Sequence, residues 1–200
     1  MYQRPAFAET DLDRIAALIA ANPFGLLVTH GARGLDASPI PFVVHRDAEA
    51  LVLDAHLAAG NPQCADIGGP ALAVFSGPHA YIAPGWYRTQ PAVPTWDYAA
   101  VHVHGTLEPV TDRDPVKAAL RDLARGDPAG FDLDALPEKY RDAMLGGLRA
   151  FRLRSTRIEA QWKMSQNRSV ADREGVIAAL RGSGQDAVAD LVAATLPAAG

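Results

Sequence analysis

Apolar and polar positions change period along this chain, and the changes predict its elements. Leu12, Ile15, Leu18 and Ile19 recur at helical spacing. Thr10, with Asp13 three residues on, has capping-box-like spacing for the start, and Asn22-Pro23 ends the helix. Residues 24–30 are a short apolar run, read as a buried strand, and 31–34 turn the chain. Residues 35–45 make a second strand broken by Pro39 and Pro41. Two prolines two apart lose their donors on one strand edge. That edge is therefore unpaired or faces a ligand, or the strand bends there around a barrel. A third strand, 50–56, follows the turn at Asp47, and Asn61-Pro62 opens a short helix that stops at Gly68-Gly69. Residues 71–76 begin a further strand.

The chain from 98 to 110 alternates strictly. Val101, Val103, Gly105 and Leu107 share one face, and His102, His104, Thr106 and Glu108 the other. Between these two strands lie Pro78, Pro84, Gly85, Pro91 and Pro94, which exclude a central strand or a helix. The reading is an ordered loop whose Trp86, Tyr87 and Trp96 pack on the core, a partner chain or a flat ligand. Asp114-Pro115 starts a helix with Val116, Ala119, Leu120 and Leu123 inward, and a second begins near Pro137 with Tyr140, Met144 and Leu148 in line. Residues 150–162 alternate as a last strand. Ser169 caps a helix that buries Val176, Ile177 and Leu180, and a final helix with Val188, Leu191 and Val192 ends at Pro197.

Strands cluster early and crossover helices do not alternate with them, so a parallel doubly wound sheet is disfavoured. The expected class is α+β, an antiparallel barrel with peripheral helices. One domain of 200 residues is expected, with helical additions at about 111–149 and 169–197. Hydrophobic content of 48% supports a substantial core, and a net charge of -4 has the wrong sign for general nucleic-acid affinity. The single cysteine, Cys64, excludes an intramolecular disulfide framework. With no apolar leader and no apolar run of membrane-spanning length, a cytoplasmic protein without a membrane partner is expected.

Four stretches could carry chemistry. His56 to Gln63 runs from a strand end to a helix start, whose free N–H groups suit a phosphate, with His56 and Asn61 as further donors; a plain capped helix is the alternative. Residues 163–169 pack Lys163, Ser165, Gln166, Asn167, Arg168 and Ser169 before a helix, as an anion or partner site or as a polar capping loop. Residues 37–41 could leave backbone groups for a planar heterocycle, although a kink in a bending strand is the preferred reading there. His102 and His104 share a strand face at metal-ligand spacing. No third ligand is identifiable, and paired polar positions on a half-exposed strand explain them. There is no Rossmann fingerprint, P-loop or nucleophile elbow.

With these residues laid out, the chain resembles the FMN-binding negative transcriptional regulator family of the PaiB type. The blocks that carry the resemblance are 23–29 (PFGLLVT), 39–42 (PIPF), His56-Leu-Ala with Asn61-Pro-Gln, and 75–82 (FSGPHAYI). They continue with Pro84-x-Trp-Tyr, Val93-Pro-Thr-Trp and 163–168 (KMSQNR). They span nearly the whole chain. The resemblance implies an FMN-binding split β-barrel related to pyridoxamine-phosphate-oxidase-like flavoproteins, a homodimer with the flavin at the subunit interface. By position, Val28 and Thr29 with Ser38, Pro39 and Ile40 would line the ring. His56, Leu57, Ala58 and Asn61 would hold the phosphate, and Lys163, Ser165, Gln166, Asn167 and Arg168 would close the site. The family pattern departs at Ala59 and Cys64, where a basic residue and a tryptophan are usual, and at Asp97, where asparagine is usual.

Three functions compete on this reading. The first is a flavin-binding homodimer, acting as a redox protein, an FMN-dependent oxidoreductase among the forms, or as a flavin-dependent regulator. The second is a DNA-binding repressor, disfavoured by the charge and by the lack of a helix-turn-helix; Arg149, Arg152, Arg154 and Arg157 on one strand are read as solvated ion pairs. The third, ranked lowest, is a haem-binding split-barrel protein using His56, His79, His102 or His104.

Overall fold

A computed structural model describes residues 1–48 and 50–197. In chain order the elements are β1 (Ala8–Glu9), α1 (Leu12–Ala21), β2 (Phe24–Gly31), β3 (Gly34–Pro41), β4 (Val43–Asp47), β5 (Ala50–Ala58) and β6 (Pro70–Ile82). There follow β7 (Thr95–Val110), α2 (Arg113–Ala124), α3 (Glu138–Gly146), β8 (Leu148–Lys163), α4 (Val170–Gly182) and α5 (Asp186–Ala193). The strands join in the order β3-β2-β6-β7-β8-β5-β4, with β1 on β8. Among the described residues, no helix is long and apolar enough to cross a membrane.

The residues form two compact units. One comprises residues 12–75 and 102–158, the other residues 1–11, 76–101 and those from 159 onward. In the first, β2 pairs antiparallel with β3 on one side and β6 on the other, and β5 pairs with β4 and β8. Leu27, Leu51, Leu53, Phe75, Val103, Leu107 and Leu153 are fully enclosed there. In the second unit, Ile82, Val101, Met164, Val176, Leu180 and Val192 are likewise enclosed.

β3 ends the sheet path, with Pro39 opposite Leu26 and Pro41 opposite Phe24. The missing donors thus lie on an edge strand, where they cost no ladder bond, one of the alternatives the two prolines left open. Phe42 separates β3 from β4; its N–H bonds the Pro23 carbonyl at 2.9 Å, and its ring packs edge-on against Phe75 at 5.2 Å.

Three expectations need correction. β6 does not stop near Ser76 but continues through Pro78 to Ile82. The ladder with β2 ends at Val74, so Pro78 sits where that neighbour is absent and its lost donor is tolerated. The stripe Tyr140, Met144, Leu148 is not a helical core face. Leu148 opens β8, and Tyr140 and Met144 are exposed. Val116, Ala119, Leu120 and Leu123 of α2 are only half-buried. The two helices of this segment bury none of their residues fully.

Candidate functional site

Strand parity sorts the ring-lining residues expected from sequence onto two faces of the β2–β3 hairpin. Leu27, Thr29, Ser38 and Ile40 share the inward face, as their pairings Leu27 with Ser38 and Gly25 with Ile40 require. Val28 and Pro39 point outward, in register with Ala37 and Leu26 respectively.

On the inward face the polar side chains bond to one another. Gln63, wholly buried, donates from Nε2 to Thr29 Oγ1 at 3.0 Å and to the Leu27 carbonyl at 3.3 Å. The Thr29 hydroxyl donates to Asp66 Oδ2 at 2.6 Å. Asn61 caps the turn by accepting from Gln63 N at 2.9 Å, while its amide donates to Ser38 Oγ at 3.0 Å. Gln63 closes the stretch singled out from sequence but carries no role there, and Asp66 lies outside it; nothing in a polar residue after Asn-Pro says that it will be buried. The helix expected after Asn61 is a five-residue 3-10 turn, Pro62–Asp66. It is too short to build a macrodipole, and its first free amide is already taken by Asn61.

β5 divides the next candidates the same way. Leu57 is core, whereas His56 lies half-buried on the face that carries Asp54, and Ala58 is exposed. Asp54 holds Arg152 of β8 in a two-pronged ion pair at 2.7 and 2.8 Å. Burial pushes the His56 pKa below the ordinary imidazole value. The folded state therefore favours neutral His56. Its contribution to stability is complete above the unfolded pKa of about 6.5 and is lost as pH falls through the lowered folded value. Urea midpoints measured from pH 7.5 to 5 should decline for the parent and decline less for His56→Gln. An identical slope in both proteins would refute this.

In the second unit the 163–168 loop is built around Asp97, whose side chain is completely enclosed. The Ser165 hydroxyl donates to Asp97 Oδ2 at 2.7 Å, and Lys163 Nζ stands 3.7 Å from Oδ1, an ion-pair distance. Lys163 also donates to Thr95 Oγ1 and the Trp96 carbonyl. Burial raises the Asp97 pKa and lowers that of Lys163, so desolvation outweighs their mutual attraction at both groups. Ser165 adopts φ 55°, a left-handed conformation that a side chain resists. It is held there by Asp97 and by Gln166, whose Oε1 accepts from Met164 N at 2.6 Å and whose Nε2 donates to the Trp162 carbonyl at 2.5 Å. Gln166 and Ser165 are thus occupied internally. Asn167 is exposed, and the Arg168 guanidinium lies 4.5 Å from the centroid of the buried Tyr87 ring. Asp97 and Tyr87 organise this loop. Their separation from it in sequence concealed the link.

The aromatic loop splits its residues accordingly. Tyr87 is buried, and Trp96 stays 55% exposed, edge-on to Tyr81 at 6.1 Å. Of the basic residues of β8, Arg152 and Arg154 form the expected ion pairs, with Asp54 and Asp47, while Arg157 bonds His104 and Arg149 bonds main-chain carbonyls. His102 and His104 share one face of β7, their rings 6.4 Å apart.

Comparison with known proteins places this arrangement. Residues 1–157 match a family model described as "Putative FMN-binding domain". The chain is 31% identical over 193 residues to the protease synthase and sporulation protein PAI 2 of Bacillus subtilis, covering 90% of this chain and 89% of that one. Among solved structures it is similar to the FAD and heme binding protein of Mycobacterium smegmatis, with TM-score 0.58, 19% identity, and 78% and 73% of the two chains covered. It is also similar to the flavocytochrome Anf3 of Azotobacter vinelandii, with TM-score 0.59, 13% identity, and 81% and 72% covered. At such identities these likenesses establish the fold, an antiparallel split β-barrel with peripheral helices. On the family match and the identity to PAI 2, the chain belongs to the PaiB-type FMN-binding family.

Proposed function

We propose that this protein is a homodimer that binds FMN and acts through it, as a redox protein or a flavin-dependent regulator. The observation that carries the proposal is the outward face of β2, β3 and β6. Phe24, Leu26 and Val28 stand beside Pro39, Ala37, Leu72 and Val74 in register, with Leu35 at the hairpin end. Phe24 is 68%, Leu35 78% and Leu26 37% exposed. A contiguous apolar sheet face of this kind marks a binding surface, and a second copy together with a flat ring is the occupant that the family suggests. Val28 and Pro39 are the ring contacts on this reading. Thr29, Ser38, Ile40, Leu57 and Asn61 serve as the frame behind the face, because their side chains are buried or bonded within it.

Separately, in the second unit, the 163–168 loop carries donors of the kind an anion takes. Arg168 is held by Tyr87 and Asn167 is exposed, with Lys163, Ser165 and Gln166 shaping the loop. The Pro62–Asp66 turn suits a phosphate less well, since Asp66 places a carboxylate against Thr29. When bound, the flavin supplies the electron transfer, and the protein supplies position and electrostatics. The paired state of the β8 arginines favours this reading over direct DNA binding.

Titration with FMN, read by flavin fluorescence and by sedimentation, tests the proposal. The parent should quench FMN saturably as a dimer. Leu26→Asp should sediment as a monomer and bind FMN at least tenfold more weakly. A parent that leaves FMN unquenched, or a monomeric Leu26→Asp with undiminished affinity, would overturn it.

A further inference from the structure

We propose that the helical segment between β7 and β8 forms a second binding site, for a small apolar carboxylate. A cavity of ≈ 370 Å³ opens there, walled by Leu120, Phe131, Met144 and Leu148, with His56, Tyr140 and Arg141 as the lining residues that carry polar groups. That volume lies in the range of small-molecule sites, as does the mix of apolar wall and few polar groups.

The charge balance selects the ligand. Asp134 is gripped by Arg121 through two nitrogens, at 2.9 and 2.7 Å. The same carboxylate stands 3.7 Å from Arg141 Nη1. One carboxylate between two guanidiniums leaves a positive charge in excess. The side chain of Arg141 is only 17% exposed, and its Nε–H is buried without a hydrogen-bond partner. Nε is itself closed to any group in the cavity, but Arg141 lines that cavity with little hydration, and an ionised oxygen is the acceptor from which a guanidinium gains most. His56 adds an imidazole with one donor and one acceptor nitrogen. One guanidinium, one imidazole and one hydroxyl suit a carboxylate better than a phosphate, which takes more donors. The remaining walls call for a hydrocarbon or aromatic body. Exposed Met144 and Phe131, at 54% and 49%, explain themselves as the rim that such a body would cover. This site shares no residue with the ring contacts Val28 and Pro39 and does not rest on them; His56, which the family resemblance gives to the phosphate, lines this cavity instead.

Isothermal titration of the full chain with benzoate, 2-naphthoate and decanoate, and with 2-naphthamide as the uncharged counterpart, tests the inference. At least one carboxylate should bind saturably at one site per chain, and naphthamide at least tenfold more weakly than naphthoate. Arg141→Met should weaken the carboxylate at least tenfold and abolish the difference between naphthoate and naphthamide. Arg141→Lys keeps the charge without the planar guanidinium and should fall between. Met144→Trp, which fills the mouth from an exposed position, should weaken all probes while leaving FMN quenching as in the parent, so the two proposals fail separately. No saturable heat with any carboxylate, or binding that neither Arg141→Met nor Met144→Trp reduces, would overturn it.

Discussion

Gly105→Ala is expected to destabilise the protein by about 3 kcal/mol, the upper part of the range for overpacking a closed core. A methyl at Gly105 would lie 2.2 Å from the Arg154 carbonyl oxygen and 2.9 Å from Leu153 Cδ2. The first of these atoms is backbone and cannot rotate away. It belongs to β8, where Arg154 is in register with Val52 of β5, so a retreat would strain that ladder as well. Leu153 is itself fully enclosed and has nowhere to go. For a chain of this size the loss corresponds to a melting temperature lower by on the order of 10 °C. Gly126→Ala is the control: a methyl there meets nothing within 4 Å, and its effect should stay within about 0.5 kcal/mol. Thermal unfolding followed by circular dichroism gives both values, and equal midpoints for Gly105→Ala and the parent would show that the strands part without cost.

Asp97→Ala should cost a similar amount, about 3 kcal/mol, by a different route. It removes the counter-charge of Lys163 and the carboxylate acceptor of the Ser165 hydroxyl together, leaving a largely buried cation with only its neutral acceptors, Thr95 and the Trp96 carbonyl. With the loop no longer pinned, Ser165 is free to leave its left-handed conformation. Asp97→Asn keeps an acceptor for Ser165 in the same shape and should retain most of the stability. The two also differ with pH. Burial raises the Asp97 pKa above its unfolded value, so the folded state favours the protonated acid. That contribution is complete below the ordinary carboxylate range and fades as pH rises through the raised value. Parent stability should therefore decline over that interval relative to Asp97→Asn, as urea midpoints across acidic pH will read. A variant with alanine as stable as the one with asparagine would refute the role given to Asp97.

The candidate site was partly legible in advance. The period of two alone places Val28 and Thr29 on opposite faces, and likewise Pro39 and Ser38, so adjacent residues could not all have lined one ring. The caps were readable because capping is local: Asn61 accepts from Gln63 N, and Ser169 accepts from Asp172 N. The packing of Gln63 against Thr29, and of Asp97 against Ser165, was not. Each joins residues tens of positions apart, and no local preference specifies such a meeting.

From its residues alone this chain specified the start of α1 and α4, which face of β7 is apolar, and a strand at 35–41 whose prolines allow an edge position. These follow from dihedral limits and side-chain period, which act within a few residues. Tertiary structure alone decided that Pro78 continues a strand, that the apolar stripe at Tyr140 and Met144 stays exposed, and that Arg141 shares Asp134 with Arg121. Those outcomes depend on which neighbour is present at a given point in space. Only the folded chain supplies that neighbour.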